Sequence, residues 1–231
     1  MAMMEFTEEK KLEINKKHQE KGVRFMDINA AYIDENVAIG RGTVIYPFVV
    51  IEGDTKIGEN CIIGMGTRIA DSTVGDGTQI QNSVITESKI GKDTKVGPFA
   101  YMRPGSNVGD NCKVGDFVEI KNSNFGNGSK ASHLTYIGDA DVGEDVNLGC
   151  GVVFVNYDGT NKYRSTVKDG AFIGCNSNLV SPVTVGESSY VAAGSTVTGD
   201  VPSEALYVAR SKGRVIEGWV KKRGLIKGRR K

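Results

Sequence analysis

The sequence predicts an all-β chain wound as a parallel β-helix of hexapeptide repeats, and three regularities predict it. Aliphatic residues recur at a period of six, from Ile33 through Ile39, Ile45, Ile51, Ile57, Ile63 and Ile69. The residue two positions earlier is small or β-branched, as at Thr43, Thr55, Cys61, Thr67, Thr78 and Thr94. The residue that follows is often glycine, as at Gly40, Gly58, Gly64, Gly75, Gly91 and Gly109. Strand alternation sends positions i and i−2 to the same side, so each repeat offers one large and one small residue to a narrow interior column. Glycine beside the aliphatic is expected to permit the sharp corner that a residue with a Cβ resists. Three edges then close a triangular coil of about 18 residues, and coils stack at ~4.8 Å, the ordinary strand spacing. An antiparallel sandwich needs irregular strand lengths and leaves this three-position register unexplained.

Residues 1–30 precede the repeat and read as a helix and linker. Thr7 is the N-cap candidate, Gly22 the stop, and the run between them is charged, so a short solvated helix with His18 on its surface is expected. The β-helix is expected over 31–202. Its register takes five-residue steps to Val74, Ile85 and Ile90, and continues through Val96, Met102, Val108, Val114 and Ile120. Ile137, Val142 and Leu148 keep it, and Val167, Ile173, Leu179, Val185, Val191 and Val197 resume it after an insertion that begins at Asn156. No period of 3.6 occurs between 33 and 200, which excludes helices there. Residues 203–231 form a tail; from Arg210 onward it carries ten basic residues, one acid and Trp219.

Composition narrows the function. With 29 basic and 28 acidic residues, no global field for a polyanion exists, and neither nucleic acid nor a membrane is an expected partner. Thirty glycines and 7% aromatic residues do not suit a helical bundle. Cys61, Cys112, Cys150 and Cys175 form no CxxC pair, and there is no signal-peptide pattern, so a reducing, cytoplasmic setting is the simplest reading.

Counting coils gathers chemistry on one edge. Arg103 and Lys121 each follow an inward aliphatic, Met102 and Ile120, and lie one coil apart, so they stack and point outward. Two cations at strand spacing repel, which makes sense if an anion such as a phosphate monoester sits against them. Tyr136 follows on the same face, His133 lies at the corner before it, and Asn147 sits on the adjoining face one coil later. A histidine there can take a proton from an attacking amine or hydroxyl. Neither a Ser–His–Asp pattern nor a second nearby histidine for a zinc site is present; His18 is remote in the coil count.

The runs RPGSNVGDNCKVGDFVEIKNS (103–123), GSKASHLTYIGDADVGEDVNLGCG (128–151), NYDGTNKY (156–163), AFIGCNSNLVSPVTVG (171–186) and VAAGSTVTGDVP (191–202) carry a close resemblance. They resemble the acetyltransferase half of the bifunctional N-acetylglucosamine-1-phosphate uridyltransferase/glucosamine-1-phosphate acetyltransferase family. The resemblance covers nearly the whole chain, and from it alone comes the expectation of a left-handed coil. It implies acetyl transfer from acetyl-CoA, the co-substrate, to the 2-amino group of glucosamine 1-phosphate. The product serves UDP-N-acetylglucosamine and cell-wall precursor synthesis, and the transfer requires no metal. In that reading His133 is the general base; Arg103, Lys121 and Lys162 bind the sugar phosphate; and Tyr136 and Asn147 hold the sugar. Cys150, Asn156, Tyr157, Cys175, Ala193 and Arg210 border the acetyl-CoA site. Cys150 and Cys175 stand where small Ala and Ser residues are common in the family, so a thiol-sensitive pocket is expected. The resemblance further implies a homotrimer with sites between subunits, the tail crossing to a neighbour so that Arg210 meets the coenzyme A phosphates. The family's Gly-rich nucleotidyltransferase loop has no match here, and uridyltransferase activity is not expected. Another hexapeptide acyltransferase with a different amino-sugar or hydroxyl acceptor, and a non-catalytic β-helix scaffold, are the alternatives.

Overall fold

The structure is a computed structural model and describes residues 7–225. The chain winds as a parallel β-helix whose three faces are sheets of 11, 10 and 9 strands. Pairing runs from each coil to the next: Val44 with Ile62 on the first face, Met102 with Ile120 on the second, and Ala38 with Lys56 on the third. These partners are 18 residues apart. Where a five-residue step intervenes the offset falls, as between Gln79 and Lys95.

The interior column is the one the period of six picks out. Ile33, Ile45, Ile51, Ile63, Ile69, Met102 and Ile120 are fully buried. Burying each such side chain contributes roughly 1.5–3 kcal/mol. The column also continues through Phe125, Ala131 and Phe154, which the aliphatic pattern skips. The small residues two positions earlier do more than fit a narrow space. Thr43 Oγ1 donates to the Gly58 carbonyl at 2.9 Å and accepts from the Cys61 amide at 3.0 Å. Thr78 and Thr94 repeat the arrangement. These hydroxyls pair backbone groups that the corners leave out of the sheets.

Glycine beside the aliphatic has a different cause from the one expected. Gly58 keeps an ordinary φ; a Cβ there would fall 2.7 Å from the Asp76 amide nitrogen in the next coil. Close coil-to-coil approach, not a corner conformation, demands glycine. The left-handed residue comes two positions later, as at Asn60 (φ 54°) and Asn111 (φ 55°), residue types that tolerate this region. In five-residue steps it moves one place earlier, to Asp71, Asn82 and Glu87.

Helix α1 (Glu8–Glu20) starts where expected, with Thr7 accepting from the Lys10 amide at 3.2 Å, and Gly22 follows its end at φ 93°. It is not a solvated helix. Lys11, Ile14, Asn15 and His18 are buried as it closes the open end of the first coil. Asn15 Nδ2 donates to the Ile28 and Ala31 carbonyls, which the end of the β-helix exposes. His18 is 6% exposed rather than on the surface, and burial lowers its pKa.

After the strand Leu206–Tyr207, which pairs with Tyr190–Val191 on the first face, the chain leaves the coil. Helix α2 (Trp219–Lys222) buries none of its residues. Residues 226–231 of the basic tail lie outside the described part of the chain. Among the described residues no helix is long and apolar enough to cross a membrane.

Candidate active site

On the second face, the strands Tyr101–Met102, Glu119–Lys121 and Tyr136–Gly138 stack in register. Met102, Ile120 and Ile137 point inward, so two outward columns flank them. One column holds Tyr101, Glu119 and Tyr136; the other holds Arg103, Lys121 and Gly138. The Tyr136 ring leans across Gly138, where a Cβ would meet its hydroxyl at 2.4 Å.

Arg103 and Lys121 do stack, but the chain supplies their counter-ions itself. Arg103 Nη1 donates to Glu119 Oε1 at 2.8 Å, and this pairing raises the pKa of Arg103. Lys121 Nζ lies 2.9 and 3.1 Å from the two carboxylate oxygens of Asp139. No outside anion is needed to relieve repulsion between the cations. Arginine has five N–H donors and the ammonium three, so both side chains keep donors for a ligand.

Asp139 is the hub of this edge. Its backbone is left-handed (φ 49°), it is 7% exposed, and its carboxylate also accepts from Asn122 Nδ2 at 2.7 Å and from Asn156 Nδ2. Burial pushes its pKa up, but hydrogen bonds from Asn122, Lys121 and Asn156 outweigh burial and hold it below the ordinary carboxylate value. The Asp139 carbonyl accepts from the Ser165 amide at 3.2 Å. A single residue therefore ties Lys121 to both ends of the insertion.

The insertion is a tight hairpin. Tyr157 and Lys162 form an antiparallel bridge, and Asp158 Oδ1 accepts from the Thr160 and Asn161 amides at 2.7 Å each. Arg164 closes its base, with Nε 2.6 Å from Asp141 Oδ2 and Nη2 3.0 Å from the Ala140 carbonyl. Lys162 and Tyr157 remain exposed.

His133 ends the strand Lys130–His133 on the first face, beside the corner that leads to Tyr136. Asp116 is its register partner one coil below, and His133 Nδ1 lies 2.5 Å from Asp116 Oδ1. That hydrogen bond holds the Asp116 pKa below the ordinary carboxylate value. An ionised carboxylate only accepts, so Nδ1 carries a proton, and in the neutral imidazole Nε2 is the nitrogen with the free lone pair.

The register also aligns a column above His133. Ala131 pairs with Leu148, and Gly151 N donates to the Leu134 carbonyl, which places Cys150 over His133. Leu148 pairs with Ile173, which places Cys175 over Cys150. Gly194 N donates to the Cys175 carbonyl, and Arg210 Nη1 donates to the Ala193 carbonyl at 2.7 Å. His133, Cys150, Cys175, Ala193 and Arg210 thus climb one corner, spanning roughly 19 Å at about 4.8 Å per coil.

Arg103, Lys121 and Asn156 gather at the far end of the second face around Asp139, and His133 stands at the corner before its near end, with Tyr136 between the two groups rather than all five meeting on one edge. Asn147 does not join them closely: it is in register with Lys130, three residues or ~10 Å along the strand from His133. Asp116, Glu119, Asp139, Asn122 and Arg164 went unread in the sequence. For all but Arg164, whose partner Asp141 lies 23 residues back across the insertion, the signal was a partner 16 to 18 residues away, visible only once the coil length at each step is known.

The bacterial transferase hexapeptide (six repeats) family matches residues 36–71 and 87–122, and the hexapeptide repeat of succinyl-transferase matches 166–199. A bifunctional protein GlmU of Clostridioides difficile is 58% identical over 91% of this chain and 46% of its own length. Its counterpart in Alkaliphilus oremlandii is 58% identical over 93% of this chain and 47% of its own length. The chain spans about half the length of the curated relatives it matches. Among solved structures, UDP-N-acetylglucosamine acyltransferases share the fold. The one from Francisella novicida has a TM-score of 0.58 at 20% identity, covering 84% of this chain and 72% of its own. The one from Campylobacter jejuni has a TM-score of 0.59 at 21% identity, covering 87% and 78%.

Proposed function

Because the chain is built of bacterial transferase hexapeptide repeats and is homologous to one half of the bifunctional GlmU proteins, we propose that it transfers an acetyl group from acetyl-CoA to the 2-amino group of glucosamine 1-phosphate. The observation that carries the reading is the Asp116–His133 pair, set across the second face from stacked Arg103 and Lys121 and at the foot of a column of small residues. His133 Nε2 takes a proton from the acceptor amine as its nitrogen attacks the thioester carbonyl. The tetrahedral intermediate then expels the coenzyme A thiolate, which is protonated to the free thiol. Asp116 keeps the tautomer and stabilises the imidazolium.

Arg103 and Lys121 offer their remaining donors to the sugar phosphate, and Lys162 approaches from the hairpin. Tyr136 orients the sugar. The climbing column of Cys150, Cys175 and Ala193 offers a narrow path for the acetyl donor, with Arg210 at its far end for phosphate. Asn156 and Tyr157 border that path. The product would feed UDP-N-acetylglucosamine synthesis.

The same reading includes a homotrimer with each site at a subunit boundary. Phe99 and Phe117 stack at 5.5 Å along the corner below Leu134, and all three are more than half exposed. An exposed apolar column at the edge of a site supports a boundary there; light scattering tests it by mass.

Thiol release from acetyl-CoA, measured against a panel of amino sugars and their phosphates, tests the function. Turnover dependent on glucosamine 1-phosphate is expected. Turnover with another acceptor alone, or calorimetry showing no acetyl-CoA binding, overturns it.

A further inference from the structure

Four free cysteines divide into two kinds. Cys61 and Cys112 are buried in the small-residue column, where their Sγ atoms lie 3.2 and 3.1 Å from the Gly75 and Gly126 carbonyls. Burial raises both their pKa values, which makes them poor nucleophiles. Cys150 is half-buried and Cys175 exposed.

These two are neighbours across a coil. Leu148 pairs with Ile173, so two residues on Cys150 sits against Cys175. The Asn176 amide donates to the Cys150 carbonyl at 2.8 Å, and the Cys175 Sγ lies 3.0 Å from where a Cβ on Gly149 would be. Strand spacing puts their Cα atoms ~4.8 Å apart, inside the roughly 4.4–6.8 Å that a disulfide spans. His133 lies in register with Cys150, one coil below.

We propose that Cys150 and Cys175 are a dithiol modification site, which peroxide oxidises to an intrachain disulfide that closes the corner path. The exposed Cys175 reacts first. Its thiolate attacks one peroxide oxygen and breaks the O–O bond; the sulfur becomes a sulfenic acid and the departing hydroxide is protonated to water. Cys150 then attacks that sulfur as a thiolate, its proton passing to His133, and the S–S bond forms as hydroxide leaves. Two thiols give up two electrons and two protons, and one peroxide becomes two waters. The effect on the acetyl donor rests on the function proposed above; the disulfide does not.

The test treats the full chain with hydrogen peroxide, alkylates it and maps a non-reduced tryptic digest by mass. Trypsin cuts between the two cysteines at Lys162, Arg164 and Lys168. The expected digest joins the Cys150 peptide to the Cys175 peptide and leaves Cys61 and Cys112 alkylated. Cys175→Ser is expected to abolish the joined peptide. Acetyl-CoA titration by calorimetry is expected to weaken at least tenfold after oxidation and to recover with dithiothreitol. Independent oxidation of the two cysteines without a joined peptide overturns the proposal, and so does a joined peptide with unchanged affinity. A reduced protein that binds no acetyl-CoA overturns the function and with it the closure of the path, while the digest still decides the disulfide.

Discussion

The coils before residue 103 and those from 103 to 166 follow one backbone path but use their outward positions differently. In the earlier coils the interior is regular and the exterior sparse: Arg68 and Glu52 form a coil-to-coil pair at 2.6 Å that stays open to solvent. In the later coils the same diagonal geometry is repeated at Arg103–Glu119, whereas Lys121 pairs with Asp139 at the corner just past its register partner Gly138, and this second pair is sunk beneath the hairpin. The comparison teaches that the β-helix provides a ladder of equivalent outward sites, and that cover by the insertion turns one rung into a charged hub.

The largest effect that would break this contrast lies at His133. His133→Ala is expected to lower kcat by about 10²–10⁴-fold, the usual worth of a general base, with little change in unfolding because the side chain is half exposed. Asp116→Asn is expected to cost about tenfold, part of that same contribution. Acetyl-transfer kinetics with thermal unfolding as a control check both. Full activity in His133→Ala would remove the site from this edge.

Asp139 sharpens the contrast next. Asp139→Ala leaves Lys121 without its partner and the hairpin root unbonded, and is expected to cost about 2–4 kcal/mol in denaturant unfolding. The same change is expected to raise KM for the sugar phosphate more than it lowers kcat. Because hydrogen bonds from Asn122, Lys121 and Asn156 depress the Asp139 pKa against the opposing effect of burial, the folded state binds its proton less tightly than the unfolded chain does. The stability it contributes is therefore present above the ordinary value, near ~3.9, and is lost as pH falls through the depressed one. The stability gap between wild type and Asp139→Asn is expected to hold near neutrality and shrink below about pH 4. A gap that widens in acid would contradict the assignment.

Much of the fold was legible in the sequence because the interior of a narrow coil imposes its own spacing. Phe125 and Phe154 escaped because an aromatic ring fills a position the pattern reserves for aliphatics. His18 escaped for the opposite reason: charges surround it in sequence, yet one face of α1 rests on the coil end. The site was half legible. Arg103, Lys121, Tyr136 and His133 could be stacked by counting, whereas Glu119, Asp116 and Asp139 could not be paired with them. Outward positions carry no period, and each five-residue step shifts the partner by one.

A regular coil offers a mid-sized test of the same backbone path. Gly40→Ala would place a Cβ 2.5 Å from the Gly58 carbonyl carbon, which is backbone and cannot rotate away. Overpacking of this kind is expected to cost about 1–3 kcal/mol, and acetyl transfer should be unchanged because the position is remote from residues 103–166. A melting temperature equal to wild type would show that the coils separate more easily than their register implies.

The smallest expected effect is the most direct comparison of the two regions. Arg68–Glu52 and Lys121–Asp139 are both ion pairs from one coil to the next, but the side chains of the first are 46% and 31% exposed, against 17% and 10% for the buried pair. Water screens the exposed pair, and ordering two long side chains offsets much of the attraction, so Arg68→Ala is expected to cost under ~1 kcal/mol. Salt should erase that difference, since exposed charges are screened within about 10 Å at 0.1 M, and should leave the Asp139→Ala penalty largely intact. Denaturant unfolding at low and high salt separates the two. Equal penalties for both variants would mean that coil-to-coil pairing, rather than cover by the hairpin, sets the worth of a charge on this ladder.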